Sequence, residues 1–535
     1  MCQACRSGVG AGAVMAPVRA PAGDARISEG IGMSIQFIRK QCTFTQPDGT
    51  TLDVVGWGDS HYAVFETLDG YTVTRDPATG FYEYAKVSTD GMDLESVGVA
   101  PGSVSPKTLQ LTRSARILPE AARAKAHSFV TGLPLGGERW CERRRQALEA
   151  RNPGPGGPVF APPKRTTVGQ YVGLCLLVEF PDVPRTISVA EVDAFCNQVG
   201  YRGFDNQGSV YDYFKEVSGG SLSYKTTVVE YYTAKHPRSY YTNEKVRQPI
   251  RAWELIKEAL THLQARGFDF GRLTRDSEGY VYALNVFYAG ECVNSWAQGL
   301  WPHSHHLEHR IELAPGISAF DYQFTDMGEA LTLGTYCHEN GHMICDFPDL
   351  YDYGDESSGV GVFCLMCNGA GPNPRNPAHV GAYLKNAAGW TTTTTLADGM
   401  AFTAPAGGNQ VFVHARNQYE YFIIENRHAS GRDANLPGSG LLIWKVDERG
   451  DNEHQEMTAK KHYECSVVQA DGRYDLERKR YFLGDSGDLF SAPNATSFGP
   501  ATRPPSKWWD GSASGLEISE ISGPGGVMTF KVTFV

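Results

Sequence analysis

His338, Glu339 and His342 stand in the order and spacing of a metal-dependent hydrolase site. On an α-helix, residues four apart lie one turn from each other on the same face, so both imidazoles can bind one metal ion. The carboxylate of Glu339 then lies beside that ion and can take a proton from a metal-bound water. Zinc lowers the pKa of such a water from about 15.7 to about 7, which creates a nucleophile at neutral pH. The spacing therefore predicts a zinc site with Glu339 as its general base.

A catalytic zinc site takes a third protein ligand and leaves its fourth position to water. Two aspartates downstream of the motif are candidates for this ligand. Asp346 can share the helix face, whereas Asp349 follows the helix stop at Pro348, where the chain can turn back toward the metal. We prefer Asp349 and keep Asp346 as the alternative. Asp352 and Asp355 are expected to form a turn or to bind calcium, an ion that favours clustered carboxylate oxygens.

The motif needs a helix to hold its two histidines on one face. Asp326 has the character of a helix N-cap, and Glu329 follows it in capping-box spacing. No proline occurs from Met327 to Phe347, and Pro348 marks the end of the segment. The sequence therefore predicts a helix that begins just after Asp326 and carries the motif.

Several stretches beyond the motif share a common pattern with one known family. The stretches are His338–Asp352, Gly208–Leu222, Tyr231–Tyr241, Phe363–Gly369 and Gly438–Asp447. Together they resemble peptidase family M6, the immune inhibitor A group of secreted bacterial metallopeptidases, which is similar to the metzincins. The resemblance covers residues 36–535 and implies a zinc endopeptidase that acts on protein or peptide substrates.

The same resemblance implies a role for Met366, which would lie in a methionine turn and form a hydrophobic floor under the metal. Two departures from the family pattern stand out. Cys345 occupies the position of a family glycine, and one extra residue precedes Pro348 and Asp349. Both departures fall where the chain leaves the helix, so they bear on the identity of the third ligand.

The chain is expected to be a multidomain α+β protein. Its catalytic part is expected to be of the zincin type, between a small β-rich pro-domain and a C-terminal all-β, sandwich-like domain. The predicted parts are a disordered extension (1–33), the β-rich N-terminal domain (34–100), a basic connecting segment with a Pro/Gly linker (101–166), the catalytic domain (167–395) and the C-terminal domain (396–535). The Arg-rich stretch before the linker is predicted to be either an exposed segment open to cleavage or a solvated helix followed by a hinge.

The net charge and the short apolar runs argue against nucleic acid as the main partner and against a membrane span. The chain has 535 residues and a formal net charge of -11, so nucleic acid is not expected as the main partner. The longest apolar runs, such as Val172–Val178, fall far short of the roughly 20 residues that a membrane span needs. The N-terminal residues contain no clear signal peptide, whereas the family resemblance implies a secreted protein.

Two further residue groups have metal-binding character. Cys364 and Cys367 form one CxxC pair, and Cys2 and Cys5 form another, so the two pairs together could hold a four-thiolate zinc. The segment 301–306 contains three histidines in four residues, which can bind a second zinc or lie in a loop beside the cleft. As reduced thiols, the cysteines beside Met366 would serve only as packing residues.

The domain order also predicts regulation. The N-terminal β-rich domain is expected to cover the cleft until the region 138–165 is cut, with Cys42, Cys141 or an upstream aspartate in the position of the water. The chain would then be made as a latent precursor. The competing hypothesis is a catalytically inactive zincin-fold binding or adhesion protein. The intact Glu339 argues against it, because a scaffold has no use for a general base.

Overall fold

The computed structural model describes residues 37–59, 62–122, 124–125, 138–150, 167–294, 296, 298–353, 357–450, 452 and 457–535. Helices and four separate sheets make up this part of the chain, so the predicted α+β class is confirmed. The predicted disordered extension and the Pro/Gly linker lie outside the described residues. None of the helices in the described ranges has the length and apolar character to cross a membrane.

The first six strands form an antiparallel meander in the order of the chain. They are β1 (Phe37–Thr45), β2 (Thr51–Gly58), β3 (Ala63–Thr67), β4 (Thr72–Arg75), β5 (Tyr82–Val87) and β6 (Leu94–Ser96). Gly56 makes room for the ring of Phe65, its partner on the neighbouring strand, because a Cβ at Gly56 would lie 2.5 Å from that ring. Trp301 joins the core of this sheet, so the meander packs on the segment that leads into the central sheet.

The central sheet has the strand order β11-β12-β10-β7-β8, and β9 pairs with β7. Its strands are β7 (Gly169–Glu179), β8 (Leu222–Val228), β9 (Tyr232–Thr233), β10 (Leu284–Tyr288), β11 (His303–Ala314) and β12 (Ile317–Asp326). All of these pairings are parallel except that of β11, which runs antiparallel to β12 at the edge. Parallel strands are covered on both faces, which explains the continuous apolar run in β7.

Most helices pack around the central sheet, and the last of the seven packs on strands of the C-terminal part. In chain order they are α1 (Arg139–Ala150), α2 (Val189–Asn197), α3 (Val210–Val217), α4 (Arg238–Tyr241), α5 (Ile250–Ala265), α6 (Leu333–Cys345) and α7 (Ala382–Ala387). Cys175 and Leu177 of β7 point into the core that contains α6, whereas Leu174 and Leu176 point into the core that contains α5. The period-two alternation of one strand thus serves two separate cores.

The motif helix α6 begins later than predicted. Asp326 does not cap it, because this residue ends β12 and its Oδ2 accepts a hydrogen bond from the backbone N–H of Cys292, 3.2 Å away. Thr332 precedes the helix without making a side-chain cap. Pairing of β12 with β10 therefore outweighs the local capping-box signal. All thirteen residues of α6 are buried.

The C-terminal part consists of two sheets and a short helix. The strands are β13 (Thr392–Thr395), β14 (Ala401–Pro405), β15 (Gln410–Ala415), β16 (Glu420–Arg427), β17 (Gly440–Asp447), β18 (Cys465–Val467), β19 (Leu516–Ser519) and β20 (Val527–Phe534), and the helix is α8 (Asp475–Arg478). The five-stranded sheet has the order β13-β15-β16-β17-β18, and the smaller one has the order β14-β20-β19. One face of the larger sheet packs on the smaller sheet, and its other face joins the core around α6.

Candidate metal centre

The two motif histidines lie one turn apart in α6, and their rings meet. Nε2 of His338 and Nε2 of His342 are 3.1 Å apart, and both side chains are almost fully buried. Each ring turns its other nitrogen toward a backbone carbonyl: Nδ1 of His338 lies 3.0 Å from the oxygen of Leu365, and Nδ1 of His342 lies 2.6 Å from that of Phe347. A carbonyl only accepts, so both Nδ1 atoms carry the proton. When both rings are neutral, the two Nε2 atoms therefore carry the lone pairs that a metal ion would bind.

Asp349 completes this arrangement. Its Oδ1 lies 2.9 Å from Nε2 of His338 and 3.4 Å from Nε2 of His342. Two lone pairs and one carboxylate oxygen thus converge on one buried point, an arrangement that a divalent cation satisfies. We call His338, His342 and Asp349 the His-His-Asp cluster. It is one of two residue groups in the described ranges whose ligand atoms could hold a metal ion.

The charges at the cluster favour a cation. Burial alone would lower the pKa of His342, but the carboxylates of Asp349 and Glu339 outweigh it and raise this pKa to about 9. Burial would raise the pKa of Asp349, yet the two histidines hold it far below its usual range. The site therefore stabilises positive charge at the point where the three ligand atoms meet, and a divalent ion supplies that charge.

The position of Asp349 depends on the turn that ends the motif helix. Asp346 is the C-cap residue and has a left-handed backbone conformation, with φ 57°. Aspartate is one of the few non-glycine residues that adopt this conformation readily. The reversal sends the chain back so that Asp349 faces the histidines, while Asp346 pairs with Arg143 at 2.8 Å. The extra residue before Pro348 is thus accommodated by a left-handed turn without glycine.

Two further contacts hold Asp349 in place. The hydroxyl of Tyr353 donates to Oδ2 of Asp349 at 3.0 Å, and the side-chain amide of Asn452 donates to its backbone carbonyl. The first contact engages the carboxylate oxygen that does not face the histidines. Sequence reasoning missed both partners, since Asn452 is 103 residues away in the chain and no local pattern marks it.

Glu339 follows His338 in α6 and is 1% exposed. Its negative charge raises the pKa of His342 and contributes to the raised pKa of Glu138, so its carboxylate lies near both groups. The general base predicted from the motif therefore lies beside the His-His-Asp cluster, in a pocket almost closed to solvent.

The two variable positions of the motif also have structural roles. Asn340 links α6 to the sheet, because its Oδ1 accepts from the hydroxyl of Tyr224 at 2.6 Å and its Nδ2 donates to Oδ1 of Asn285 at 2.8 Å. Gly341 makes room for Met366, whose sulfur would lie 2.8 Å from a Cβ at this position. Met366 is fully buried against α6, and the residue before it supplies the carbonyl that orients His338.

Replacement of Gly341 with Ala tests the fit of the helix on Met366. Overpacking of a buried contact costs about 1–3 kcal/mol, and the better helix propensity of alanine returns at most about 1 kcal/mol. We expect a lower free energy of unfolding, measured by urea denaturation. Gly408→Ala is the control, because a Cβ there has no atom within 4 Å. Equal stabilities of the two variants would contradict the close contact.

The helix α1 lies across the cluster, although its segment was predicted to be exposed. The ring of Trp140 stacks on His342 with centroids 4.7 Å apart and planes at 28°. The backbone N–H groups of Arg139 and Trp140 donate to the two carboxylate oxygens of Asp321 at 2.8 and 3.1 Å. Arg143 is only 7% exposed. The prediction of exposure is wrong here because distant parts of the chain supply carboxylates to these arginines.

Cys42 and Cys141 were predicted as residues that could occupy the position of the water, and Cys141 lies in α1 next to Glu138. Burial and the charge of Asp321 raise the pKa of Glu138 to about 7, and His342 opposes this shift. The sulfur of Cys141 lies 3.8 Å from Oε2 of Glu138. The group of ligand atoms around the histidines includes neither Cys141 nor Cys42. Neither Cys42 nor Cys141 is therefore the residue that reaches the predicted metal position.

Of the predicted four-thiolate site, the structure describes only the pair Cys364 and Cys367. Cys364 accepts from the backbone N–H of Gly381, and Cys367 donates to the carbonyl of Ser358, so each thiol packs on backbone. The ten described cysteines are all free thiols, while Cys2 and Cys5 lie outside the described residues.

The histidines of segment 301–306 also lie apart from any ion-binding group of the described chain. His303 is buried between the hydroxyl of Tyr322 and the carbonyl of Trp301, and burial lowers its pKa to about 4. His306 stacks on Phe320. They are structural residues of β11 and not a second zinc site.

Asp352 and Asp355 were predicted to form a turn or to bind calcium, and the structure describes only Asp352. Asp352 accepts from the backbone N–H of Ser357 at 2.9 Å and thus forms a turn, while Asp355 lies outside the described residues. The second acidic group is instead Asp471, Asp485 and Asp488, which sequence reasoning missed. Arg473 lies 2.5 Å from the carboxylate of Asp471 and supplies positive charge to this group.

Comparisons with known proteins add no further constraint on the centre. No family model matches this chain, and no curated protein matches it. The functional conclusion therefore rests on the geometry of the His-His-Asp cluster and on the motifs that the sequence contains.

Proposed function

We propose that this chain is a zinc-dependent endopeptidase of the zincin type, related to the M6 group that its motifs resemble. The observation that carries the proposal is the His-His-Asp cluster. Three ligand atoms converge at a buried point, and the backbone contacts of both Nδ1 atoms leave the two Nε2 atoms free to bind a metal. Glu339 beside the cluster adds a group that a purely structural metal site does not need.

The residues divide the chemistry between them. His338, His342 and Asp349 would hold zinc, which when bound lowers the pKa of a water to about 7 and polarises the scissile carbonyl. Glu339 accepts the proton of the attacking water and then passes it to the leaving amine. The low exposure of Glu339 keeps its carboxylate out of bulk water, where competing proton donors would act on it. Met366 supports the helix from below.

We also propose that the chain is a latent precursor. The parts in this proposal are a pro-region that combines the β-rich residues 34–100 with α1, a catalytic part at 167–395 and a sandwich-like part at 396–535. The support is the position of α1, which stacks Trp140 on a ligand ring and pairs Arg143 with the residue that ends the motif helix. A substrate peptide cannot reach the cluster through the space that this helix occupies.

One experiment tests both proposals on the full chain. A recognition sequence for a site-specific protease is placed within residues 153–158, and hydrolysis of casein is measured before and after the cut. We expect about one bound zinc per chain, low activity before the cut and a large rise after it. A chelator should remove the activity, and added zinc should restore it.

The outcomes separate the two proposals. Equal activity before and after the cut would show that α1 does not inhibit the enzyme, while the peptidase proposal would stand. A cut chain that binds zinc but hydrolyses no protein substrate would overturn the peptidase proposal. It would favour the alternative of an inactive zincin-fold binding protein.

A further inference from the structure

Three arginines of α1 enter pockets beside the metal centre, and two of them, Arg139 and Arg143, share the carboxylate of Asp276. Each pocket offers at least one carboxylate and at least one tyrosine. We call them the arginine pockets, and they hold Arg139, Arg143 and Arg144. Arg145, the next residue, faces solvent and pairs only with Glu142 and Glu149 of its own helix. The pockets therefore distinguish the face of α1 that lies on the site from the face that does not.

The first pocket holds Arg139. Its guanidinium pairs with Glu278 at 2.7 Å and with Asp276 at 3.2 Å. The same group lies over the ring of Tyr280, with its Cζ atom 4.5 Å from the ring centroid. A planar guanidinium between carboxylates and an aromatic face makes both ion-pair and cation–π contacts.

The second pocket holds Arg143. Its carboxylate, Asp346, lies close in sequence to the predicted metal ligands. Nε donates to Oδ1 of Asp346 at 2.8 Å, and a terminal nitrogen donates to the carbonyl of Met343 at 2.9 Å. The Cζ atom lies 4.7 Å from the centroid of Tyr282. Asp346 ends the motif helix three residues before the ligand Asp349, so this pocket adjoins the cluster directly.

The third pocket holds Arg144 on the other side. Its terminal nitrogen donates to the carboxylate of Glu464 and, at 3.0 Å, to the hydroxyl of Tyr383. Tyr383 itself donates to Glu464. The carboxylate belongs to the C-terminal part of the chain, so the three pockets draw on residues from well-separated stretches. Such an arrangement is built by the fold and does not arise from one acidic run.

The carboxylates of the arginine pockets need a positively charged partner as long as α1 covers them. With α1 in place the exposed fractions of the side chains of Asp276, Asp346 and Glu464 are 5%, 8% and 9%. A buried carboxylate without a partner is strongly destabilised, so a peptide that covers these carboxylates in place of α1 has to supply positive charge. The net charge of -11 adds a field that attracts basic peptides.

We propose that, once α1 leaves, the arginine pockets receive arginine side chains of the substrate, so that the enzyme selects protein segments rich in basic residues near the scissile bond. This inference rests on the proposed peptidase function and on the release of α1. The helix then acts as a mimic of the substrate's basic side chains as well as a cover. Arginine should be preferred to lysine, because its planar fork fits the carboxylate and the tyrosine face together.

The test uses the full chain cut within residues 153–158 and loaded with zinc. Two peptide libraries are compared that differ only in arginine or citrulline, which has nearly the same shape but no charge. We expect kcat/KM to be at least about 10-fold higher for the arginine peptides. Asp346→Asn should reduce this ratio toward one, since asparagine keeps the left-handed turn but lacks the charge. Asp510→Asn, which removes a carboxylate paired with Arg416 at the surface, should leave the ratio unchanged.

A binding measurement separates this inference from the peptidase proposal. A fluorescent peptide with the sequence of residues 138–150 is added to the cut chain, and its anisotropy is compared with that of a citrulline version. Equal hydrolysis of both libraries would contradict the inference that the arginine pockets bind substrate arginines, and the peptidase proposal would stand. If neither library is hydrolysed, the peptidase proposal fails, and the binding measurement alone then tests the arginine pockets. Tighter binding of the arginine peptide supports the pockets, and equal binding of the two peptides refutes them.

Discussion

Glu339→Gln is expected to bind zinc as the wild type does and to lose proteolytic activity by about 10³-fold. Glutamine has nearly the same volume and shape, so the packing of a side chain that is 1% exposed is preserved. Its amide cannot accept the proton of the attacking water, and the step that depends on a general base stops. The measurement is casein hydrolysis by the cut chain, with zinc content determined on the same sample.

Glu329→Gln is the matched control for this variant. Glu329 precedes the same helix but is exposed to solvent, so its loss of charge should leave activity unchanged. Retention of wild-type activity by Glu339→Gln would remove Glu339 from the mechanism. A wild type that is itself inactive, with zinc bound equally in both variants, would instead agree with a binding or adhesion protein.

Asp349→Asn is expected to lower zinc affinity by at least about 100-fold, since loss of a partner one shell further out already costs about 10–100-fold. The variant keeps the shape of the side chain but removes the charge that faces both Nε2 atoms. Asp346→Asn, the alternative ligand, should retain wild-type affinity because its carboxylate pairs with Arg143. Competition with a chromophoric chelator measures both affinities.

The comparison between these two aspartates decides the third ligand. Weak zinc binding in Asp346→Asn with normal binding in Asp349→Asn would reverse our assignment. Equal effects in both would mean that the turn after the motif helix, and not one carboxylate, controls the affinity. Circular dichroism of the metal-free variants checks that each one folds.

Local patterns predicted the parts of the centre that lie close together in the chain. The i, i+4 spacing of the histidines survives in α6 because a helix fixes it. Pro348 predicted an end of the helix nearby, and the turn that returns Asp349 to the histidines lies two residues earlier, at Asp346. The predicted start of α6 was wrong, because Asp326 belongs to β12, which pairs with β10. No local signal in the sequence indicates such long-range pairing.

The contacts made by α1 could not be predicted from the sequence either, because they also join residues that are distant in the chain. Arg143 and Asp346 are 203 residues apart, and Arg144 and Glu464 are 320 residues apart. Composition alone marked the segment as basic and therefore as solvated, which is the usual fate of arginine. Only the fold brings the opposing carboxylates to that helix.

The five-stranded sheet of the C-terminal part is buried on both faces, which limits how the proposed precursor could be processed. Val413, Tyr421 and Trp444 on one of its faces belong to the core that surrounds the motif helix. The same sheet contributes Phe412 and Phe422 to the core beneath the smaller sheet. Loss of residues after 395 would strip one side of the helix that holds the histidines. In the proposed precursor, trimming is therefore expected from the amino-terminal side, with residues 396–535 kept because they form part of the core around the motif helix.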